Sequence, residues 1–369
     1  MDISSFILLN SICILIGMLL DLLIGDPIGF PHVVIMIGKL ISFLEKRLYK
    51  NTDSDEQKEK SGSLIAFLVP SITIVLIGII LVIAFKIHPV AYVLIESFLC
   101  WQAVAARDLA YESMRVYKAL KGEKITLPDF ENGGKITIDA ALDDIKVAED
   151  DNDTAKEKTA SQKKLENGRR AVSLIVGRDT QALDETGVTK AAVETVAENT
   201  SDGIIAPLFY MFIGGGALAV MYKAVNTLDS MLGYKNEKYM HFGSGSAIQD
   251  DYWNFIPSRL SALLICAAAA ILKMDHKNAF RIWKRDRFKH ESPNSAQTES
   301  ACAGALNIQL AGDASYFGHI KHKETIGDPI RPVEKEDIPR ACKLMYASTV
   351  LMILIGLIIR LLVYIVYNN

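Results

Sequence analysis

The sequence predicts an all-α, polytopic integral membrane protein with helical loops on its cytoplasmic side. Three observations predict it. Apolar runs of spanning length recur along the 369 residues, half of which are hydrophobic. Between these runs lie stretches dense in Lys, Asp and Glu. In residues 193–260 polar phrases abut apolar stretches directly, and one of those stretches carries Pro207 and Gly214-Gly-Gly216, marks of a broken or re-entrant helix. The formal net charge of −3 is too small to argue for nucleic acid as a partner.

Residues 3–25, 64–85 and 344–367 each hold about 20 mainly apolar residues, enough to cross ~30 Å of hydrocarbon as helix. The first lacks a basic leader and a small-residue cleavage site before Asp21, so it reads as a retained anchor. Lys39, Lys46, Arg47, Lys50, Lys58 and Lys60 follow it and no basic residue precedes it, which places that loop in the cytoplasm and the N-terminus outside. Arg340 and Lys343 before the last span place the C-terminus outside as well.

Residues 25–29, Gly-Asp-Pro-Ile-Gly, read as a turn. An amphipathic helix over 33–48 and a solvated loop over 51–61 follow. Residues 89–106 form a fourth candidate span interrupted by Glu96 and Gln102, and 107–121 has helical spacing. From 128 to 167 the chain is highly charged and almost without aromatic residues, and reads as a mobile insert between an N-terminal membrane region (1–127) and a core region (168–343). Thr186 is placed to cap a helix over 188–199, on which Lys190, Glu194 and Glu198 share a face. Segments 204–222 and 257–272 are embedded but ambiguous, and 344–369 ends the chain as a transmembrane helix. Cys13, Cys100 and Cys266 sit in apolar runs and Cys302 and Cys342 are isolated, so neither a zinc site nor a disulfide framework is expected.

Carboxylates at a hydrocarbon boundary are costly and mark a site. Three phrases stand out: 193–203 (VETVAENTSDG), 224–234 (AVNTLDSMLGY) and 249–259 (QDDYWNFIPSR). If 204–222 crossed the membrane unbroken, the first two would face opposite sides. A broken or re-entrant segment brings both to one pocket, and that geometry is the expected one.

With these phrases the chain resembles the CobD/CbiB family of cobalamin biosynthesis, the adenosylcobinamide-phosphate synthases. The resemblance rests on Gly25-Asp-Pro27 with Pro31-His32, Val176-Gly-Arg-Asp-Thr180 and Glu194 to Gly203 with Pro207-Leu-Phe209. It continues through Asn226-Thr-Leu-Asp-Ser-Met231, Asp250-Asp251 with Asn254 and Arg259, and Ser292-Pro-Asn-Ser295. Two departures are visible: 128–167 is longer and more charged than the pattern, and Ala296-Gln-Thr298 follows Ser295 where glycine is expected.

The resemblance implies an ATP-dependent ligase at the cytoplasmic membrane, its active site facing the cytoplasm. It joins adenosylcobyric acid, a corrinoid, to (R)-1-amino-2-propanol phosphate or free aminopropanol through an amide bond. Association with other enzymes of the pathway and contact with membrane lipid go with it. Such chemistry needs Mg²⁺, which takes one or two carboxylates plus phosphate oxygens and keeps several waters. Glu198, Asp229, Asp250 and Asp251 are the candidate metal ligands, and Glu194, Glu198, Asp202 and Asp229 the candidate catalytic residues. Arg178, Asp179, Lys190, Asn199, Asn226, Asn254, Arg259 and Asn294 are the candidate substrate contacts, with arginine suited to bidentate phosphate contact. Several have a plainer reading as helix caps or buried ion pairs, Asp179 and Asp251 above all, and His32 reads as a structural hydrogen-bonding residue. No phosphate loop or dinucleotide fingerprint is present, so ATP comes from the resemblance alone.

Two other classes compete. A non-enzymatic regulatory or sensory membrane protein of the same superfamily is the main alternative, disfavoured because the carboxylate and amide phrases are present together. A solute transporter ranks last, because no inverted repeat of hydrophobic segments is evident.

Overall fold

In the computed structural model, residues 3–27, 29–128, 135–138, 153–234, 236–316 and 318–368 are described. Helices dominate. The N-terminal part comprises α1 (Ile3–Ile24), α2 (Val33–Leu48), α3 (Asp55–Ile87), α4 (Pro89–Ala103) and α5 (Ala106–Lys121). Then come α6 (Asp153–Val172), α7 (Glu185–Asn199), a π-helical turn (Thr200–Ile205) and α8 (Ala206–Leu232). The remainder is α9 (Ser244–Trp253), α10 (Phe255–Ile271), α11 (His276–Asp286), α12 (Ser295–Leu306) and α13 (Asp337–Asn368). Two-stranded antiparallel ribbons accompany them: β1 (Ile125–Pro128) with β2 (Lys135–Ile138), β3 (Leu310–Ala311) with β6 (Thr325–Ile326), and β4 (Ala314–Tyr316) with β5 (His319–Lys321).

Among the described residues, five helical segments are long and apolar enough to cross a membrane, Ser4–Ile24, Asp55–Ile87, Pro89–Lys121, Glu185–Leu232 and Asp337–Asn368. The pair α9–α10, bent by 48°, makes a sixth if taken as one span. The protein is a multi-pass membrane protein. Its outer apolar faces fit that solvent: Leu19 and Leu23 on α1, Phe67 and Val75 on α3, and Leu361 and Val366 on α13 are all exposed. Such a band is stable against lipid and not against water.

Helix ends follow local chemistry. Ser54 caps α3 through a reciprocal capping box with Gln57. His32 caps α2, its Nδ1 accepting from the Val34 amide at 3.2 Å. Asp184, rather than Thr186, caps α7, accepting from the Gly187 amide at 2.7 Å. Part of the stretch expected to lack order is regular: Lys135–Ile138 pairs with β1, and α6 supplies the rest of its described residues and packs on α5 and α7. The other residues of 128–167 lie outside the described ones.

The decisive feature is a break inside α8. Gly214 leaves helical geometry (φ −133°) and Gly215 takes φ +71°, a backbone that side chains disfavour. The chain reverses there. The ring of Tyr210 on the first arm stacks on that of Tyr222 on the second, centroids 5.2 Å apart. An unbroken helix would hold them about 18 Å apart. So Glu185–Leu232, one span by length and composition, is broken and folds back on itself as a helical hairpin.

A broken helix at membrane depth must have its freed backbone groups satisfied by protein. Here the Gly216 amide donates to Glu96 Oε1 at 2.6 Å, which also accepts from Asn10 Nδ2 at 2.5 Å. On the other arm, Arg360 Nε of α13 donates to the Phe212 carbonyl at 3.0 Å, and its Nη1 reaches the Ile7 carbonyl at 3.3 Å. Glu96, which interrupts the fourth apolar run, is therefore the acceptor that holds the hairpin. Gln102 acts in a parallel way, since its Oε1 accepts from the Val33 amide at 2.9 Å and fixes the start of α2.

Candidate active site

The reversal of α8 places its second arm beside the π-helical turn, and the site is built around that junction. A π turn widens the helix and re-aims its side chains, a feature frequent at functional sites. Here it carries Asp202. The second arm of α8 supplies Asn226 and Asp229, α9 supplies Asp250 and Asp251, and Asn254 sits at the α9–α10 bend.

Two adjoining chambers result, each of about 230 Å³. Glu198, Asp202, Asp229, Asp250, Asp251 and Glu291 line the acidic one, with Asn254, Ser292, Asn294 and Ser295, and among the described residues no lysine or arginine lines it. Arg178, Glu194, Glu198, Asn199, His290 and Lys323 line the mixed one, together with Ser295, Glu299 and Tyr316. Glu198 and Ser295 belong to both and are hydrogen-bonded, Ser295 Oγ donating to Glu198 Oε1 at 3.0 Å. A larger bay of about 810 Å³, walled by Tyr234, Tyr316 and Ile320, shares Gly233 and Glu291 with the acidic chamber and Tyr316 with the mixed one.

Neutral amides hold the carboxylates in place. Asn226 Nδ2 donates to Asp250 Oδ1 at 3.3 Å, and Asn254 Nδ2 makes a close contact with Asp202 Oδ1 while its own oxygen accepts from Ser201. Asp251 Oδ1 accepts from Ser292 Oγ at 2.7 Å and from Asn294 Nδ2 at 3.3 Å. Like charges gathered in a low-dielectric chamber repel, so this arrangement calls for a cation or shared protons. The donor set, all oxygen, fits a hard divalent ion such as Mg²⁺. Among the described residues no group of three or more His, Cys, Asp or Glu is disposed to hold a metal by itself.

Some residues expected to meet substrate are engaged elsewhere. Glu194 lines the mixed chamber, but its oxygens are taken by Arg178 Nη2 (2.5 Å) and the Ala311 amide (2.7 Å). It thereby holds Ala311 at φ +56°, an unfavourable conformation for a residue with a Cβ. Asp179 lies outside both linings, accepting from Ser315 Oγ at 2.5 Å and the Gly318 amide at 2.8 Å, and so clamps the β4–β5 ribbon. Arg259 also lies outside them. It donates to Asn294 Oδ1 at 2.9 Å and the Pro293 carbonyl at 3.2 Å and stacks on Phe255, bracing the loop that carries Ser292 and Asn294. Lys190, one turn before Glu194 on α7, lines neither chamber. Arg178, Asn199, Asn254 and Asn294 do line the cleft, and Asn226 stands against it through Asp250.

Sequence reading missed His290, Glu299 and Lys323, and gave Tyr316 no role in the site. His290 Nε2 and Glu299 Oε2 lie 3.1 Å apart at the floor of the mixed chamber. Burial raises the Glu299 carboxyl to about 7, with the His290 charge opposing. Burial alone would lower His290, but the Glu299 carboxyl outweighs it and holds the imidazole above its ordinary value. The one available signal was the i, i+4 spacing of Ser295 and Glu299 on a helix rich in small residues.

Comparison with known proteins bears on the same segments. The family described as CobD/Cbib protein matches residues 14–128 and 149–345, which includes every residue of both chambers. The chain belongs to the CobD/CbiB family. Among its relatives is a protein of Clostridium tetani named Cobalamin biosynthesis protein CobD, 41% identical over 344 residues, covering 93% of this chain and 95% of the relative. The Geobacter metallireducens protein of the same name is 42% identical, covering 93% and 94%. Cobalamin biosynthesis protein CbiB of Salmonella typhimurium is 38% identical over 336 residues, covering 91% and 93%. No solved structure matches the chain. The match covers most of this CobD/CbiB member, the cleft included.

Proposed function

We propose that this protein acts in cobalamin biosynthesis as an acid–amine ligase, joining adenosylcobyric acid to (R)-1-amino-2-propanol phosphate or free aminopropanol in an ATP-dependent reaction. One observation carries the reading: in a CobD/CbiB chain, a chamber lined by six carboxylates opens through Glu198 and Ser295 into a chamber bearing Arg178, His290 and Lys323, and both adjoin a bay of about 810 Å³.

Each part serves that reaction. The bay, with Tyr234, Tyr316 and Ile320 on its wall, has room for part of a corrinoid face, which neither 230 Å³ chamber has. Arg178, His290 and Lys323 offer positive charge and N–H donors to phosphate oxygens. Glu198, Asp202, Asp229, Asp250 and Asp251 would hold Mg²⁺, which screens phosphate charge when bound. As the amine nitrogen attacks the activated acyl carbon it must shed a proton. Glu198, at the wall common to both chambers, and Asp202 are the carboxylates placed to accept it. Asn254 and Asn294 keep the neighbouring carboxylates oriented. The cleft faces the cytoplasm of a bacterial inner membrane in this reading, where the corrinoid and ATP are supplied.

Purified protein given adenosylcobyric acid, (R)-1-amino-2-propanol phosphate, ATP and Mg²⁺ yields adenosylcobinamide phosphate. Absence of product beside an active relative assayed in parallel contradicts the reading.

A further inference from the structure

A further pocket, of about 410 Å³ and largely apolar in its walls, lies on the other side of the π-helical turn, where the loop after α1, the start of α2, the α4–α5 junction and the second arm of α8 meet. Its polar side chains are Asp26, His32, Gln102 and Lys223. Pro27, Phe30 and Val104 supply apolar wall.

Its donors are aimed and unused. Gln102 is 2% exposed, and with its Oε1 committed to the Val33 amide, its buried Nε2 has no partner among the described residues. His32 Nδ1 accepts from the Val34 amide, which assigns the ring proton to Nε2. That Nε2 is buried, without a hydrogen-bond partner among the described residues, and 3.5 Å from Asp26 Oδ2. Lys223 brings its amino group from α8. Buried N–H groups left without acceptors are costly and rare, and their convergence with an amino group in one small pocket marks the place of an oxygen-rich ligand. Asp26, next to the Asp108 carboxylate that takes its amide at 2.6 Å, supplies the opposite sign.

The pocket also communicates with the cleft. The Ala105 amide in the pocket wall donates to the Gly203 carbonyl, one residue from Asp202, at 3.2 Å.

We propose that this pocket binds an aminoalkyl phosphate, its phosphate oxygens on Gln102 Nε2, His32 Nε2 and Lys223 Nζ, its ammonium on Asp26 and its short carbon chain on the apolar wall. A free phosphorylated amino alcohol and the headgroup of phosphatidylethanolamine share that chemistry. Taking the free compound as the natural occupant rests on the ligase reading, since it would then be the amine substrate waiting beside the cleft.

The test is binding by the full-length protein in phosphatidylglycerol nanodiscs, with (R)-1-amino-2-propanol phosphate as probe and neither corrinoid nor nucleotide present. Saturable binding is expected, weakened at least about tenfold by Lys223→Met and by Gln102→Glu, the loss of one charge-assisted hydrogen bond. Gln102→Glu keeps the acceptor that starts α2, so a folded variant is expected. Phosphatidylethanolamine nanodiscs that exclude the probe would assign the pocket to the lipid headgroup, and probe binding that persists in them would assign it to the free compound. Unchanged probe affinity in both variants, or no saturable binding with either source, overturns the proposal. Wild-type binding without any amide product would leave the pocket standing and remove the ligase reading. Amide formation at unaltered KM for the amine in both variants would do the reverse.

Discussion

The rings of Tyr210 and Tyr222 stack 5.2 Å apart although twelve residues separate them along one helical segment. That contact exists because Gly214 and Gly215 reverse the chain, and it brings the Asp202 and Asp229 phrases to one chamber. What stabilises the reversal, and what the chamber does once formed, can be probed separately.

Glu96→Ala removes the acceptor for the Gly216 amide and for Asn10 Nδ2. Each orphaned group costs about 1–3 kcal/mol. A clear fall in the thermal midpoint in detergent is expected, with a smaller fall for Glu96→Gln, which keeps an acceptor oxygen. Equal midpoints for both variants and wild type would show that Glu96 does not hold the hairpin.

Asp229→Asn and Glu198→Gln are expected to lower kcat/KM for amide formation by at least about 10²-fold, the scale of one electrostatic group in an active site. Neither is expected to lower the thermal midpoint, because each relieves repulsion among the clustered carboxylates. Stabilisation of the protein by Mg²⁺ should shrink in both variants. Near-normal turnover in either removes that residue from the site.

The His290–Glu299 pair predicts a pH dependence of stability. Glu299 holds its proton up to about 7 in the folded protein, against an ordinary value of 4.5, and the folded value of His290 lies above 6.5. Both groups bind protons more tightly folded than unfolded, so their contribution is present at low pH and lost as pH rises. The Glu299 share goes between about 4.5 and 7, and the His290 share above 6.5. Lys323, Glu194 and Glu198 also act on the pair. Thermal midpoints of Glu299→Gln measured from pH 5 to 8 should fall less than those of wild type; parallel curves would contradict this.

Arg259 and Arg178 look equivalent in sequence and should separate in assay. Arg259→Ala unbraces the loop of Ser292 and Asn294 and is expected to lower stability. Arg178→Ala exposes Glu194 and is expected to raise KM for a phosphate-bearing substrate at least about tenfold, as loss of a charge-assisted contact does. A KM effect confined to Arg259→Ala would reverse these roles.

Much of this is legible in the sequence, because hydrophobic run length is a direct record of the membrane as solvent. The three easy spans, the π-turn phrase and the break at Gly214-Gly-Gly216 all carry local signals, and the structure has the spans and the break at those positions. Partnership is not legible. That Glu194 serves Ala311, that Asp179 clamps a ribbon and that Arg259 braces a loop depend on residues more than thirty positions distant. Glu96 and Gln102 read as flaws in an apolar run, because their partners, Gly216 and Val33, come from other helices. His290 and Glu299 escape notice for the same reason: each gains its meaning from the other, nine positions away.

The central claim is that residues 185–232 enter and leave the membrane on one side. All five cysteines are buried, so single cysteines introduced at Gln181 and Glu237, both exposed, can be labelled against a low background. A membrane-impermeant maleimide applied to inside-out vesicles should label both positions, and neither in right-side-out vesicles. Labelling of the two positions from opposite sides would mean that the segment crosses the membrane, and the single cleft would not exist.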